Sequence, residues 1–377
     1  MEIKICQSID EIDKQQWNAL LRDNNPFCKH EFLHALEEHQ CVDEKFGWIP
    51  RHIAIYKDQQ LIGAMPLYEK HNSYGEFVFD QAWSDAYHRS GLRYFPKLVS
   101  CIPYTPIQGQ RLLCLADQEE EIYSLLLKSA QQIAQQYHYS SFHVLFPTAT
   151  EHQWLEKQTL VSRYDCQFHW FNHNYKNFDD FLSNFSSRKR KNIRKERNSV
   201  KQQGVTFRVL DGFSSSEQDW LDFTCFYEQT FAEKFGMATL NLEFFKSIAN
   251  NLPEQIVLVL ADYKGSCIAG SLMYKSDDTL YGRFWGCQQS IDNLHFEACY
   301  YQGIEYCIKH RLKKFEPGAQ GEHKIARGFI PVLTKSSHFL TEPHFQASIE
   351  QFVKREQAGV IDYMQQLNKH LPYKKTD

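Results

Sequence analysis

Although it has 11 cysteines, scattered from Cys6 to Cys307, this chain holds no Cys-x-x-Cys pair. No apolar run approaches the ~18–20 residues of a membrane span. The opening Met-Glu-Ile-Lys-Ile-Cys-Gln-Ser has no basic stretch followed by an apolar one, so no secretory signal is read there. With an odd cysteine count, these absences lead us to expect a cytoplasmic protein whose thiols are reduced and mostly buried. The 17 histidines offer only the weak cluster Cys28-Lys-His30, and a metal site is not expected. Neither sign of charge dominates. A net charge of −4 gives no global attraction to nucleic acid or membrane, so any anion binding must come from a local patch.

What is present excludes disorder: 42% of residues are hydrophobic and 15% aromatic. A length of 377 residues suggests two domains at the usual ~100–200 residues each. An internal echo supports this. Ala54-Ile-Tyr56-Lys57…Gly63 matches Ala261-Asp-Tyr263-Lys264…Gly270 without a gap, at an offset of 207, and both copies read as two strands joined by a hairpin turn. A helix at Glu121–Tyr137 runs into a strand at Ser141–Val144, as one at His295–His310 runs into Lys314–Glu316. Here the offset is 173. The chain therefore reads as a tandem duplication of one α/β unit, 1–170 and 171–377, with an insertion within about 69–110 of the first copy.

The densest chemistry lies between Glu316 and Phe329. Glu316, Gln320, Glu322, His323, Lys324 and Arg327 are punctuated there by Gly318, Gly321 and Gly328. Pro317-Gly318 must end the preceding strand, because proline has no N–H for a ladder. Acid, base and fixed cation together are what a transferase needs to take a proton from an amine and steady an oxyanion. We expect Lys324 to supply charge and Glu316, Glu322 or His323 to act as base.

Three further regions are candidates for binding. Ser186–Lys201 carries eight Lys or Arg against one Glu. It reads as a helix anchored by Ile193 and Val200, with Arg188, Lys189, Arg190, Asn192 and Arg194 available to a phosphate or RNA. Strand, loop and helix follow one another at Trp285, His295 and Glu297, an arrangement suited to an anion or carbonyl. In the insertion, bulky rings, Trp83 among them, are interleaved with Glu76, Asp80 and Lys97, a mixture that suits a pocket wall. His30, just ahead of a helix, is the last candidate ligand.

Two strands, a meander, a strand–loop–helix and a closing strand, present twice, resemble tandem GNAT acyltransferase domains. The chain is similar to the FemAB-like N-acyltransferases, themselves akin to the Fem peptidyltransferases. The residues that carry this are Asn25-Pro26-Phe27, Gly47-Trp48, Gly75 to Asp80 and Pro103-Tyr104-Thr105-Pro106 in the first half. In the second half they are Arg188 to Arg194, Trp285-Gly286-Cys287, Leu294 to Glu297 and Gly318 to Lys324 with Arg327-Gly328. The resemblance implies, for each domain, a mixed, mostly antiparallel sheet flanked by helices. It implies transfer of an acyl or aminoacyl group to an amine, with a small-molecule or cell-wall precursor of peptidoglycan type as acceptor. The donor is aminoacyl-tRNA or acyl-CoA, with no cofactor tightly bound. The CoA pattern Arg/Gln-x-x-Gly-x-Gly/Ala is absent between Gly286 and His295. Two other readings stay open: a CoA-dependent enzyme with an altered phosphate loop, and a non-catalytic fold that binds RNA or a phospho-ligand.

Overall fold

The computed structural model describes residues 1–233 and 236–374. The first eight strands are β1 (Glu2–Cys6), β2 (Trp48–Pro50), β3 (His52–Lys57), β4 (Gln60–Met65), β5 (Tyr68–Lys70), β6 (Lys97–Ser100), β7 (Leu113–Cys114) and β8 (Ser141–Leu145). β9 (Val161–Phe171) leads into β10 (Thr206–Leu210), β11 (Ile256–Tyr263), β12 (Ser266–Lys275), β13 (Thr279–Cys287) and β14 (Lys314–Glu316). β15 (Ile330–Leu340) follows, and the helix Pro343–Asn368 comes last. The chain divides into two compact units. One is Met1–Asp165 with Leu333–Asp362, the other Cys166–Val332 with Tyr363–Asp377. A single break at residue 170 leaves Leu333–Asp362 in the second half, whereas the structure groups it with the first. Strand pairing is the reason, since Ser336 to Leu340 of β15 run antiparallel to Leu145 to Ser141 of β8.

The first unit has a four-stranded sheet, β1-β3-β4-β7, and a second sheet ordered β2-β5-β6-β8-β15. β6 and β8 are parallel, and the connection between them carries the helix Glu119–Gln136. Ile122, Leu126, Ala130 and Ile133 of that helix are buried at helical spacing. They pack with Ile53, Met65, Phe142 and Val144 in one core. In the second unit the order is β10-β11-β12-β13-β14-β9. β13 and β14 are parallel, joined through helical turns from Leu294 to His310. Its core gathers Trp170, Phe181, Phe185, Met273, Tyr301, Phe315 and Phe329. Each unit is thus a GNAT-like α/β layer structure.

The two hairpins share one form, but its register is not the one that residue identity suggests. In the first hairpin Ile55 pairs Gly63, a bulge follows, and Tyr56 pairs Leu61. In the second Ala261 pairs Ala269, a bulge follows, and Asp262 pairs Cys267. The turns Asp58-Gln59 and Lys264-Gly265 both have positive φ at their two central residues, as the tight primed hairpin turn requires. Ile55 therefore corresponds to Ala261 and Tyr56 to Asp262, one residue short of the 207 offset. In a strand, a slip of one exchanges the two faces.

Close packing fixes one glycine near the candidate site. A Cβ on Gly286 of β13 would lie 2.1 Å from the Phe226 carbonyl oxygen in the helix Glu217–Glu233. Backbone on both sides cannot give way cheaply, so Gly286→Ala should lower stability by about 3 kcal/mol in urea titration. Gly359, with open space around it, should respond oppositely, gaining about 0.5–1 kcal/mol as Ala in its helix. Equal effects at the two positions would remove the packing argument.

Candidate active site

The strongest constellation lies in the second unit, after β14. Gly318 (φ 91°) and Gly321 (φ 118°) turn the chain through backbone regions other residues rarely enter. A 3₁₀ helix, Glu322–Arg327, follows. At three residues per turn, positions three apart eclipse. Lys324 and Arg327 consequently face inward together, 2% and 5% exposed, while Glu322 and His323 point outward.

Lys324 Nζ donates to the Gly318 carbonyl at 2.8 Å. Burial pulls its pKa from 10.5 down to about 7; Cys299 opposes this and Arg283 assists it. Glu316, on β14, is 1% exposed. The Lys314 ammonium stands 2.6 Å from its Oε1, yet off the hydrogen-bonding direction, and neither carboxylate oxygen has a hydrogen-bond partner. Its cation is thus Lys314, and both oxygens keep capacity to accept from an N–H group. His169, on β9, is held down to about 4 by burial, with the charges of Glu316, Lys314 and Lys324 all acting on it. It is neutral at pH 7. Arg283, on β13, is lowered to about 10 by burial, which Tyr274, Tyr227 and Glu316 oppose, and so stays a cation. Burial drives the Cys299 thiol up to about 12, which makes it a poor nucleophile.

Of the three candidate bases, Glu322 is exposed and accepts from Tyr363 Oη at 2.6 Å. His323 is also exposed, and its Nε2 meets Tyr300 Oη at 2.8 Å. Burial, with Lys324 and Arg327 beside it, lowers the His323 pKa below the usual imidazole range. His295 sits in an aromatic nest, 5.3 Å from the rings of Trp285 and Tyr300 and 6.3 Å from His323. Gln320 is exposed on the loop. Glu297 is committed elsewhere: Arg197 binds it at 2.8–3.3 Å and Gln302 at 2.8 Å. It begins a π-helical turn, Glu297–Tyr301, a feature frequent at functional sites.

The basic helix spans Ser187–Gln202 and buries Ile193 and Val200. Arg188, Lys191, Asn192 and Lys195 are exposed, Lys189 and Arg190 half-buried. Arg194 pairs with exposed Asp179 at 2.8 Å, and Arg197 is neutralised by Glu297 and Glu305. The helix's single acid, Glu196, ties it to the Glu322–Arg327 turn. Arg327 Nη2 donates to both Glu196 oxygens at 2.9 and 3.0 Å, and Tyr301 Oη donates to the same carboxylate. Arg327 also donates to the His323 carbonyl at 2.7 Å and lies 3.4 Å over the Phe296 ring. Composition singles out the eight cations and passes over Glu196, although one acid in such a run is itself a signal.

The first unit places its candidates differently. Glu76, Asp80 and Trp83 are 3%, 2% and 2% exposed and form interior, not wall. Lys97 Nζ binds Glu76 Oε2 at 2.8 Å and also Asp80 Oδ2. Asp80 accepts further from Tyr94 Oη at 2.6 Å and Ser73 Oγ at 2.7 Å. His30 is buried, its Nε2 3.0 Å from the carbonyls of both Ile9 and Ile12, so it braces the N-terminal turn. It shares metal-type i,i+4 spacing with His34, but that side chain pairs with Asp10 and Glu38. Among the described residues no group of three His, Cys, Asp or Glu side chains could hold a metal. All 11 cysteines are free.

The scaffold is thus two GNAT-like units, the second with a buried carboxylate on β14 and a buried lysine in the turn that follows. Residues 8–375 match the FemAB-like family, described as peptidoglycan biosynthesis/recognition. The chain belongs to that family. FemX is similar in fold at 14% identity and TM-score 0.54, over 93% of this chain and 100% of that one. A conserved protein of unknown function from Bacteroides thetaiotaomicron is similar at 10% identity and TM-score 0.54, over 90% and 100%. So is the C-terminal domain of a proposed lysylphosphatidylglycerol synthetase from Agrobacterium fabrum, at 6% identity and TM-score 0.53, over 92% and 97%. No curated protein matches by sequence.

Proposed function

We propose that this protein transfers an aminoacyl group from aminoacyl-tRNA to the amine of a peptidoglycan-type precursor. The observation that carries this reading is Lys324, buried in the turn that follows the Glu316 strand, with a pKa near 7. Such a lysine is largely a free amine at pH 8 and can accept a proton. The acceptor's ammonium is held by the Glu316 carboxylate, beside the Lys314 ammonium already there, and gives its proton to Lys324. The neutral amine then attacks the ester carbonyl and the C–N bond forms. The C–O bond to the ribose breaks as the departing ribose oxygen takes the proton held by Lys324. The second proton of the attacking nitrogen returns to Lys324, from which it is released to solvent. Arg283, a cation near the same carboxylate, favours the oxyanion. In this reading Lys324 is a proton carrier rather than the fixed charge that sequence suggests.

The basic helix supports a phosphate-bearing donor. Arg188 to Lys191 crowd its first turns, where no acid is present and the helix dipole already disfavours cations. A bound phosphate relieves that repulsion. The helix's inner flank is a poorer choice. There a cavity of about 460 Å³ mixes Arg194, Arg197 and Lys201 with Asp179, Glu297 and Glu305. CoA is disfavoured because Gln288 to Asn293 lack its glycine pattern and the α-helical turn that follows is only Leu294–Phe296. A tRNA donor makes the cytoplasm the site of reaction; no helix among the described residues is long and apolar enough to cross a membrane.

The test supplies aminoacyl-tRNA and acyl-CoA donors separately with an amine acceptor and reads product mass. Aminoacyl transfer should appear with tRNA alone. The combined change Arg188→Ala, Arg190→Ala and Lys191→Ala should weaken tRNA binding at least tenfold and flatten its salt dependence by about 2 in log–log slope. An unchanged slope reduces the helix to a solvated face.

A further inference from the structure

The first unit contains a cavity of about 240 Å³ that the transfer reaction does not use. Its lining includes Phe79 from the aromatic insertion, Val360 from the C-terminal helix, Arg163, Glu356, Thr334 and Ser336. Thr334 is 1% exposed, and its Oγ1 has no hydrogen-bond partner. A buried hydroxyl left unpaired is costly, so it marks a place for a ligand's polar atom. Ser336 Oγ is oriented by His338 Nε2 at 2.8 Å.

Arg163 is locked in place. Its Nε and Nη2 meet the two Glu356 oxygens at 2.7 Å, its Nη1 donates to the Phe79 carbonyl at 2.7 Å, and its guanidinium lies 5.2 Å over the Trp83 ring. A preorganised cation and anion therefore stand side by side. Lys335 and Asp165 add one charge of each sign to the lining. Such a balance repels neither end of a zwitterion and offers little to a phosphate or a polyamine. The volume equals about eight waters at ~30 Å³ each, the scale of one amino acid rather than a nucleotide.

We infer that the first unit binds a free α-amino acid. Its carboxylate meets Arg163, its ammonium meets Glu356, Thr334 Oγ1 provides a third contact, and an apolar side chain lies against Phe79 and Val360. This site stands independently of the proposed transfer reaction.

The test is calorimetry and thermal melting of the full chain with L-leucine at about 10 mM, which fills even a ~1 mM site. Isoamylamine and 4-methylpentanoate serve as the two half-ligands. L-Leucine should release heat and raise Tm, and each half should bind at least tenfold more weakly. Thr334→Val should cost about tenfold in affinity, the effect of one hydrogen bond. Val360→Trp, at a half-buried position, should fill the space and abolish binding, which keeps the test decisive if Thr334→Val does not fold. No binding of L-leucine, L-phenylalanine or glycine overturns the inference. Halves as tight as the whole, or Val360→Trp binding like the parent, do the same.

Discussion

Lys324→Met should lose about 10²–10³ in turnover and yet yield a more stable protein. Burial explains both. The folded state holds the Lys324 pKa near 7, against 10.5 for the free side chain. Between those values the unfolded chain binds more protons than the folded one, so stability of the parent rises with pH across that window. Below pH 7 the full cost of burying the ammonium is present, on the order of 5 kcal/mol. Methionine carries no such cost. The variant's advantage in urea titrations should therefore be largest at pH 6–7 and fade towards pH 10.5. The rate gives an independent reading. If the free amine accepts the proton, parent kcat/KM rises with pH through about 7; if the ammonium is the active form, it falls. A Lys324→Met protein with full activity on an identified substrate sinks the assignment. A pH-independent stability difference removes the buried-charge explanation.

Lys97→Met should be the most damaging single change in the first unit, costing about 3–5 kcal/mol. The lysine is fully enclosed, and its ammonium is shared by the carboxylates of Glu76 and Asp80. Removing it leaves two buried anions with no cation between them. Glu76 is already poised to protonate: burial raises its pKa to about 7, with Lys97 opposing. Without Lys97 that rise must be larger. A folded pKa above the unfolded value stabilises at low pH and is lost as pH rises, so the variant should recover at pH 5 and fail towards pH 8. Adding Glu76→Gln and Asp80→Asn should restore much of the loss by removing the charges themselves. A cost below about 1 kcal/mol for Lys97→Met alone contradicts this account.

These two lysines mark where residue patterns inform and where they stop. Period, caps and breakers locate most elements: the basic helix, the β11–β13 meander and the Pro317-Gly318 strand end are all legible. The Glu316–Phe329 loop is recognisable by its mixture of side chains, but which of them turn inward depends on a 3₁₀ turn that sequence does not announce. Glu76, Asp80 and Trp83 look like a pocket wall because bulky and ionic residues alternate. Only Lys97, 17 residues beyond Asp80, converts them into a sealed interior. The hairpin repeat shows the hazard of identity alone. Ala, Tyr, Lys and Gly align at 207, whereas the bulge and turn, which set the ladder, align one residue earlier.

The return of Leu333–Asp362 to the first unit bears on how the chain is made. A ribosome releases β1 to β8 first, but the strand that covers one flank of β8 is β15, among the last to emerge. Through the whole synthesis of Cys166–Val332, the Ser141–Leu145 edge stays open, and all five of its residues are buried in the finished protein. An apolar edge left waiting is a template for pairing with another chain. Slow translation, or a break in the message after Val332, therefore exposes the nascent protein to aggregation through β8 rather than through either unit's surface.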